Sequence, residues 1–497
     1  MIKYDIAVIG SGIGGLTSAA IMAKQGFKVV VIEKQKIPGG YLQSFTRFKK
    51  NFDTGLHYIG SMGEGQFMHK IFDYLGINDR VDFADFDNDA FDIIYFNNKA
   101  FELPIGLENF KQALINYFPS EESAIIKYID LIRQIVDSLN VFNLRTVPEE
   151  YDFHNQWASE SAYKVICGLT SNVVLQNILS SANILYAGTK QSTSFYTHAI
   201  IQYTNIQGCK RPIDGGNNLV NAFIDIIKEN GGEIICGNGL KSFNFVHNKI
   251  ESINLDDDQK VIADNYISAI HPQQLVNKIG TPYFRKAYIN RVNSIKNTMS
   301  SFVIYCSLKP ETIRYSNQNH FCFTGNDVWV ASNYSNDKAP DYFYLLTPAH
   351  TNNDKYSDKL EIVTLMDYSV FNKYIDNGIV IDRNGYNKLK QEKADELLSI
   401  AAKYFPDHIA AIDKINIATP HTFQRYSDTV NGSSYGMIKD FKKADSVYFN
   451  SRTRISNLFL AGSNINTHGI VGSAITSVLT CGKIVGLNKL INEINNG

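Results

Sequence analysis

YDIAVIGSGIGG, residues 4–15, places a glycine-rich turn directly after an apolar run of strand length. Small and apolar residues at helical spacing follow over 16–25, and a second β-branched run over 28–32 ends in Glu33. Strand, glycine turn, helix, strand and acid follow one another in the order of a dinucleotide-binding βαβ unit. The sequence therefore predicts an α/β fold that binds an adenine dinucleotide.

The three spaced glycines of this turn have different tasks. Gly10 permits the tight turn, Gly12 lets the backbone approach a pyrophosphate, and Gly15 lets the helix pack closely on the strand. The phosphates then lie at the helix N-terminus, where free N–H groups meet them. Glu33 is placed to accept hydrogen bonds from ribose hydroxyls, and its charge disfavours a 2′-phosphate. We therefore do not expect NADP at this site.

Composition narrows the class of protein. A chain of 497 residues predicts two or more domains. Lys and Arg number 48 against 49 Asp and Glu, which argues against nucleic acid as a partner. The six cysteines show no CxxC and no metal-ligand spacing, so no metal site is predicted. The first strand begins close to Met1, which leaves no room for a signal peptide, and we expect a cytoplasmic location.

Residues 165–189 carry no charged side chain. Apolar residues at Val165, Ile166, Leu169, Val173 and Val174 suit one face of a buried helix. The alternative interpretation is part of an apolar substrate channel or of a patch that contacts a membrane peripherally, and the sequence does not separate them.

Further motifs occur along the chain in a fixed order. Glu33-Lys34 is followed by Gly39-Gly40 and by FDTGLHYIG at 52–60. The later motifs are GGNNL (215–219), NGGE (230–233), TPHTFQRY (419–426), GSSYG (432–436), LFLAG (458–462) and GIVGS (469–473). Together they resemble the flavoprotein family of retinol saturase, carotenoid isomerase and the bacterial phytoene desaturases, and are most similar to the retinol saturase branch.

This resemblance implies FAD as the cofactor and a Rossmann-like FAD-binding domain assembled from three chain segments. An inserted α+β domain would then bind the substrate. The predicted FAD-binding segments are 1–66, 215–271 and 415–497, and the predicted substrate-domain segments are 67–214 and 272–414. Patterns in the residues support the split: a helix over 218–228, a strand over 233–236 and a hairpin from 249–255 and 261–270.

The resemblance also assigns cofactor-binding residues. They are Gly10, Gly12, Ile13, Gly14, Gly15, Glu33, Lys34, Gly39, Gly40, Tyr41, Leu42, Gly55, Leu240, Ala269, Gly462, Ser463, Asn464, Gly469, Ile470, Val471 and Gly472. One departure concerns Ser463-Asn464, since many relatives carry an acid shortly after the glycine that Gly462 matches. Asn464 can hydrogen-bond a hydroxyl but brings no charge.

Proton-transfer candidates come from two of the motifs. The family places FDTGLHYIG and GSSYG near the isoalloxazine, so His57, Tyr58 and Tyr435 are the catalytic candidates. Flavin chemistry needs few side chains, but saturating a double bond requires a proton at the second carbon. A plain structural role in the core stays open for each of them.

The expected function is FAD-dependent saturation, or another redox conversion, of carbon–carbon double bonds in a long apolar polyene or isoprenoid. Two alternatives stay open: a redox-neutral cis–trans polyene isomerase that uses reduced FAD, and a lipid-binding escort protein without redox chemistry. No second dinucleotide motif follows a strand, so an external donor such as NAD(P)H would act without its own domain. The sequence does not indicate an oligomeric state.

Overall fold

The computed structural model describes residues 3–87, 89–148, 156–349, 355–376 and 378–497. The strands are β1 (Lys3–Ile9), β2 (Val29–Glu33), β3 (Ser44–Arg47), β4 (Lys50–Asp53), β5 (Ile59–Gly60), β6 (Phe83–Asp85), β7 (Asp92–Phe96), β8 (Lys99–Leu103), β9 (Cys209–Pro212), β10 (Glu233–Cys236), β11 (Leu240–Val246), β12 (Lys249–Leu255), β13 (Lys260–Ser268), β14 (Ser300–Leu308), β15 (Asn319–Phe323), β16 (Tyr342–Leu346), β17 (Lys359–Met366), β18 (Ile375–Asp376), β19 (Ile379–Val380), β20 (Ile412–Ala418) and β21 (Leu458–Leu460).

The helices are α1 (Ile13–Lys24), α2 (Phe67–Leu75), α3 (Leu107–Tyr117), α4 (Glu122–Asp137), α5 (Ala162–Leu169), α6 (Val173–Ser180), α7 (Phe195–Gln207), α8 (Gly216–Glu229), α9 (Pro272–Ile279), α10 (Lys286–Ser294), α11 (Arg383–Tyr404), α12 (Pro406–Ala410), α13 (Pro420–Ser427), α14 (Ala444–Val447), α15 (Gly469–Val485) and α16 (Leu487–Asn496).

The first sheet contains the predicted βαβ unit. Its strands lie in the order β10-β2-β1-β13-β12-β11, and β21 pairs with β13. β1 is parallel to both β2 and β13, with Ile9 opposite Ile32 on one side and Ser268 on the other. β12 and β13 pair antiparallel, as the hairpin pattern predicts. The carboxyl ends of β1, β2, β13 and β21 therefore meet at one edge, where ligands bind in sheets of this type.

Both faces of this sheet are buried, and alternate residues of each strand face opposite ways. Ile6, Val8, Val29 and Val31 pack in the core that includes α1, α8 and α15. The intervening residues pack in a second core with the β11–β12 hairpin and α9; they are Ala7, Ile9, Val30 and Ile32. Burial on both sides explains why these strands are almost continuously apolar.

The second sheet lies in the order β20-β14-β17-β16-β15-β7-β8. Its strands pair antiparallel except β7 with β15, which are parallel. One face packs against the long helix α11, with Ile304 and Ile362 in the shared core. Because side chains alternate along a strand, Val303, Glu361 and Val363 point to the opposite face.

The sheets draw on different parts of the chain. The strands of the first sheet lie within 1–66, 215–271 and 415–497, which supports the proposed three-segment FAD-binding domain. Strands from 67–214 and 272–414 build most of the second sheet. β20 belongs to that sheet too, although it begins before and ends after the proposed boundary at 414. The exact domain limits stay a prediction.

The uncharged stretch 165–189 differs from a single buried helix. α5 ends at Leu169 and α6 begins at Val173, where the Asn172 side chain caps the backbone N–H groups of Val174 and Leu175. Ile166 is buried, but Val173 is 61% exposed. The prediction of one buried helix face is therefore wrong at Val173, because the polar residues between the two helices break the spacing.

No helix among the residues that the structure describes has the length and apolar character needed to cross a membrane.

Candidate functional site

A cavity of about 850 Å³ lies between the carboxyl edge of the first sheet and one face of the second. Its volume is within the range of ligand-binding clefts. At one end it is lined by the glycine turn after β1, and at the other by aromatic side chains of β15 and β16. All of the predicted cofactor-binding and catalytic residues line it except Gly15, Val471 and Gly472.

The turn between β1 and α1 leaves room for a ligand at one position. Gly10 has φ +97°, a conformation that favours glycine. A Cβ on Gly15 would lie 1.9 Å from the Gly10 carbonyl oxygen, so Gly15 serves the packing of α1 beneath the turn. A Cβ on Gly12, in contrast, would meet no protein atom within 4 Å. The open space beside Gly12 is where a pyrophosphate could approach the backbone.

Glu33 stabilises this turn from the end of β2. Its Oε2 accepts hydrogen bonds from the backbone N–H of Ser11 at 3.0 Å and from the Ser11 hydroxyl at 2.5 Å. Its Oε1 accepts from the N–H of Gln35 at 2.7 Å, while the Ser11 hydroxyl oxygen accepts from Gly39 at 3.0 Å. Glu33 thus ties the first glycine turn to the Gly39-Gly40 turn, in addition to the ribose contact predicted for it.

The third chain segment reaches the same place. A Cβ on Gly14 would lie 2.5 Å from Cα of Gly462, so α1 and the turn after β21 touch through glycine. The Ser477 hydroxyl of α15 donates to the Gly14 carbonyl oxygen at 2.9 Å. Asn464 lines the cavity, but its Oδ1 already accepts from the N–H of Met437 at 2.8 Å.

Two helices whose first residues line the cavity have neither a side-chain cap nor an acid in the first turn. They are α1, with Ile13 and Gly14, and α15, with Gly469 and Ile470. Free N–H groups and the positive end of the helix dipole favour negative charge at both places. Val471 and Gly472 lie deeper in α15; a Cβ on Gly472 would be 2.2 Å from the Thr467 carbonyl oxygen.

These features fit FAD. The open position at Gly12 and the N-terminus of α1 would hold the pyrophosphate, and the N-terminus of α15 would face the electron-rich side of the flavin ring. Leu240 and Ala269 line the cavity on the first sheet, where the adenine is predicted. Among the described residues, no group of His, Cys, Asp and Glu is arranged to hold a metal ion.

His57 lines the cavity beside Tyr344 of the second sheet. Its Nδ1 is buried, lies 3.5 Å from Oε2 of Glu361 and has no other partner, and its ring packs edge-on against Tyr344. Burial, and to a lesser extent the charge of Arg211, lowers the pKa of His57 to about 3. Burial raises the pKa of Glu361, the acid partner, to about 8. The imidazole is therefore neutral near pH 7.

The two predicted tyrosines also line the cavity, in different ways. The hydroxyl of Tyr58 is buried without a hydrogen-bond partner, and its ring packs edge-on against Phe86. Tyr435 is partly exposed, and its carbonyl oxygen accepts a hydrogen bond from Nδ1 of His468 at 2.8 Å. Burial raises the pKa of both phenols, so both stay protonated at neutral pH.

An aromatic face of the cavity is formed by Phe321, Tyr342 and Tyr344 of β15 and β16. Phe321 and Tyr344 stack with ring centroids 4.6 Å apart. Val363 and Leu365 of β17 also line the cavity, and so do Ile184 and Leu185 from the uncharged stretch. The substrate-channel interpretation of 165–189 stays a prediction, and Ile184 and Leu185 are the part of the stretch to which it could apply.

Sequence reasoning missed Ser11 and Glu361. Ser11 stands inside the quoted glycine motif, but the motif rule assigns tasks only to its glycines. Glu361 carried a signal: it is the one acid in the apolar run 360–365, which predicts a strand. A charged side chain within a buried strand calls for a partner, but the partner, His57, is distant in sequence.

The family model of flavin containing amine oxidoreductases matches residues 13–481. All-trans-retinol 13,14-reductase of Rattus norvegicus is 25% identical, over 99% of this chain and 87% of that protein. Chloroplastic prolycopene isomerase of Daucus carota is 22% identical, over 97% and 80%.

A solved structure of putrescine oxidase bound to putrescine superimposes with a TM-score of 0.65 at 14% identity, covering 97% of this chain and 99% of that one. At such low identity this likeness concerns the fold alone. The matches to the reductase and the isomerase confirm the resemblance that the sequence motifs indicate.

Proposed function

Because the chain belongs to the flavin containing amine oxidoreductase family, we propose that this FAD-dependent oxidoreductase saturates a carbon–carbon double bond of a long apolar polyene. The observation that carries the proposal is the cavity, which joins a glycine turn suited to a dinucleotide to an aromatic face, with His57 beside that face. The likeness to a retinol reductase over nearly the whole chain supports the choice of a polyene.

When bound, reduced FAD supplies a hydride equivalent to one carbon of the double bond. The chain has three tasks beside it. Phe321, Tyr342 and Tyr344 bind the polyene by apolar contact and exclude water. The turn at Gly12 and the N-termini of α1 and α15 fix the cofactor's position. His57 holds a proton at the cavity and delivers it to the second carbon.

An anaerobic assay tests this function. The FAD-loaded protein is reduced chemically and mixed with all-trans-retinol, a carotenoid and an unsaturated fatty acid in turn. We expect one of the polyenes to reoxidise the flavin and to gain two hydrogens by mass. Failure of every polyene to reoxidise the flavin would contradict the proposal.

The second candidate is a redox-neutral cis–trans isomerase, which the likeness to prolycopene isomerase favours. Product mass separates the two reactions, because isomerisation adds no hydrogen. The escort-protein alternative requires no flavin at all. It predicts a purified protein without a visible flavin band that gains none on incubation with FAD, and it conflicts with the open position at Gly12.

The proposal extends to the electron donor and the cellular location. We propose NAD(P)H as a candidate external electron donor. The anaerobic assay tests this when NAD(P)H is used in place of the chemical reductant. We keep the cytoplasm as the expected location, with peripheral membrane contact as the route for an apolar substrate. Fractionation of cells that produce the protein, and flotation with lipid vesicles, would test both. The oligomeric state stays open.

A further inference from the structure

Glu361 is fully buried and only partly bonded. Its Oε1 accepts a hydrogen bond from the backbone N–H of Asp53 at 3.3 Å. Its Oε2 has no hydrogen-bond partner and lies 3.5 Å from Nδ1 of His57, which is buried and also has none. Two buried polar atoms thus face each other with room for one proton between them.

The neighbouring carboxyl shows what a structural role looks like. Asp53 Oδ1 accepts from the backbone N–H of Gly216 at 2.7 Å and from the Ser44 hydroxyl at 2.8 Å, which ties together separate loops. Buried polar groups are normally bonded in this manner. Glu361 has no such set of donors at Oε2, so fastening a loop does not explain why a carboxyl occupies this position.

Strand geometry places Glu361 behind the substrate. Glu361, Val363 and Leu365 alternate along β17 and share a face, and both apolar members line the cavity. Glu361 does not line it, and His57 does. His57 buries its Nδ1 against Glu361, so we place the opposite ring edge, with Nε2, toward the cavity.

On the basis of the proposed function, we propose that Glu361 is a positioning residue that keeps a proton on Oε2. Glu361 transfers this proton to Nδ1 of His57 when His57 gives its Nε2 proton to the substrate. This arrangement would fix the imidazole in the tautomer with hydrogen on Nε2. It would also spare the buried ring a lasting charge during the reaction.

The bond changes balance. The alkene loses its π bond and gains two C–H bonds, one from the hydride equivalent of the reduced flavin and one from the Nε2 proton. The flavin is oxidised by two electrons and the alkene is reduced by two. The Oε2–H bond breaks as Nδ1–H forms, which leaves Glu361 as a carboxylate. After the product departs, a proton from solvent water binds Nε2 of His57, and the Nδ1–H bond breaks as the Oε2–H bond forms again.

The charges around the pair agree with a proton on Glu361 at rest. Burial raises the pKa of Glu361, and the Asp53 carboxyl beside it raises that pKa further. Burial lowers the pKa of His57. The groups that face the pair from the packed elements are Asp53, Lys359, Arg211, Tyr305, Cys306 and Tyr344.

The first test needs no turnover. In FAD-loaded protein labelled with ¹⁵N and ¹³C at histidine, a His57→Gln variant identifies the His57 signals. Across the titration of Glu361 near pH 8, we expect Nδ1 to change from unprotonated to protonated as a carboxylate replaces the acid. Glu361→Gln should keep the Nε2–H tautomer at every pH. Asp92→Asn, which removes another buried carboxyl, should preserve the switch.

The second test uses the pH profile of reoxidation of the reduced enzyme by substrate in a single turnover. We expect the wild-type rate of reoxidation to fall above the pKa of Glu361. The Glu361→Gln rate should be at least tenfold lower than the wild-type rate and should show no such fall at high pH. If Glu361→Gln does not fold, Glu361→Asp replaces it. We then expect the tautomer change of His57 at a different pH and a slower rate of reoxidation than in wild type.

The outcomes distinguish this inference from the proposed function. An unchanged His57 titration and pH profile in Glu361→Gln or Glu361→Asp would overturn the inference, even if the polyene is reduced. A tautomer switch that depends on Glu361, with no polyene able to reoxidise the flavin, would instead refute the proposed substrate and support the proton-sharing pair.

Discussion

Gly12 and Gly14 are two residues apart, but the space available for a side chain differs between them. A Cβ on Gly12 would project into empty space, whereas a Cβ on Gly14 would lie 2.5 Å from Cα of Gly462. The backbone of Gly12 has φ −62°, which alanine adopts without strain. The two positions therefore separate the cost of losing a ligand contact from the cost of disturbing the fold.

For Gly12→Ala we expect the free energy of unfolding without FAD to change by less than about 0.5 kcal/mol. Its FAD affinity should fall by about tenfold or more, because the added methyl group occupies the approach to the pyrophosphate. Gly14→Ala, the matched control, should lose about 1–3 kcal/mol of stability even without FAD. Urea unfolding measures the free energy of unfolding, and flavin titration measures the FAD affinity. FAD binding by Gly12→Ala as tight as that of wild type would place the pyrophosphate elsewhere.

Single residues also show how far sequence reasoning reached. Glycine positions were predictable because backbone conformation and steric room are local, and one motif encodes them. Glu361 was not, because its contact joins a strand of the second sheet to His57, which lies in the loop between β4 and β5 and is remote in sequence. A buried acid in an apolar strand signals that a partner exists, but only the packing identifies it.

At the scale of elements, His198 links the helices on one side of the cavity. From the buried side of α7 its Nε2 pairs with the Tyr128 hydroxyl of α4 at 2.7 Å, and its Nδ1 pairs with the Tyr186 hydroxyl at 2.9 Å. Burial lowers the pKa of His198 to about 3. The folded protein therefore keeps this imidazole neutral over a range in which the unfolded chain protonates it.

That difference makes stability depend on pH with a definite sign. Between pH 6.5 and about 3 the unfolded chain binds the extra proton, so the contribution of His198 is fully present above pH 6.5 and declines as pH falls. We expect His198→Gln to be less stable at pH 7 but to lose less stability between pH 6.5 and 4. Urea unfolding at a series of pH values measures the slope.

Tyr186→Phe is the control for this prediction. It removes one hydrogen bond, at a cost of about 0.5–1.5 kcal/mol, but retains the titrating group. Its free energy of unfolding should depend on pH with the same slope as that of wild type. An equal slope in wild type and His198→Gln would show that protonation of His198 is not coupled to unfolding.

Several elements were predictable from periodicity. The helix expected over 218–228 corresponds to α8, the strand expected over 233–236 to β10, and the hairpin runs 249–255 and 261–270 to β12 and β13. The stretch around 165–174 was not, since apolar spacing continued across Thr170 and Asn172 while local capping ended one helix and began the next. Side-chain capping competes with periodicity wherever Ser, Thr or Asn interrupts an apolar run.

At the scale of the whole molecule, the cavity depends on chain segments that are remote in sequence. The Ser477 hydroxyl and the Gly14 carbonyl oxygen, which are hydrogen-bonded, are 463 residues apart. We expect FAD binding to slow amide hydrogen exchange together at the turns around Gly12, Gly40 and Gly462, because all three line one cavity. Exchange measured by mass spectrometry with and without FAD checks this.

The surface of α11 provides the internal control, since it lies on the face of the second sheet opposite the cavity. Its exchange should change little. Protection confined to the first turn, with none near Gly462, would contradict a site made from three segments. At this scale the family resemblance predicted the assembly, whereas composition and periodicity alone could not show which segments meet.

The contact between Gly14 and Gly462 has a consequence for biosynthesis. The first βαβ unit is synthesised long before the turn at Gly462 that completes its ligand site. A nascent chain therefore carries an apolar sheet whose edge at β13 still lacks β21. A complete flavin site must await synthesis of β21 and this turn, and until then the unpaired strand edge is exposed to aggregation.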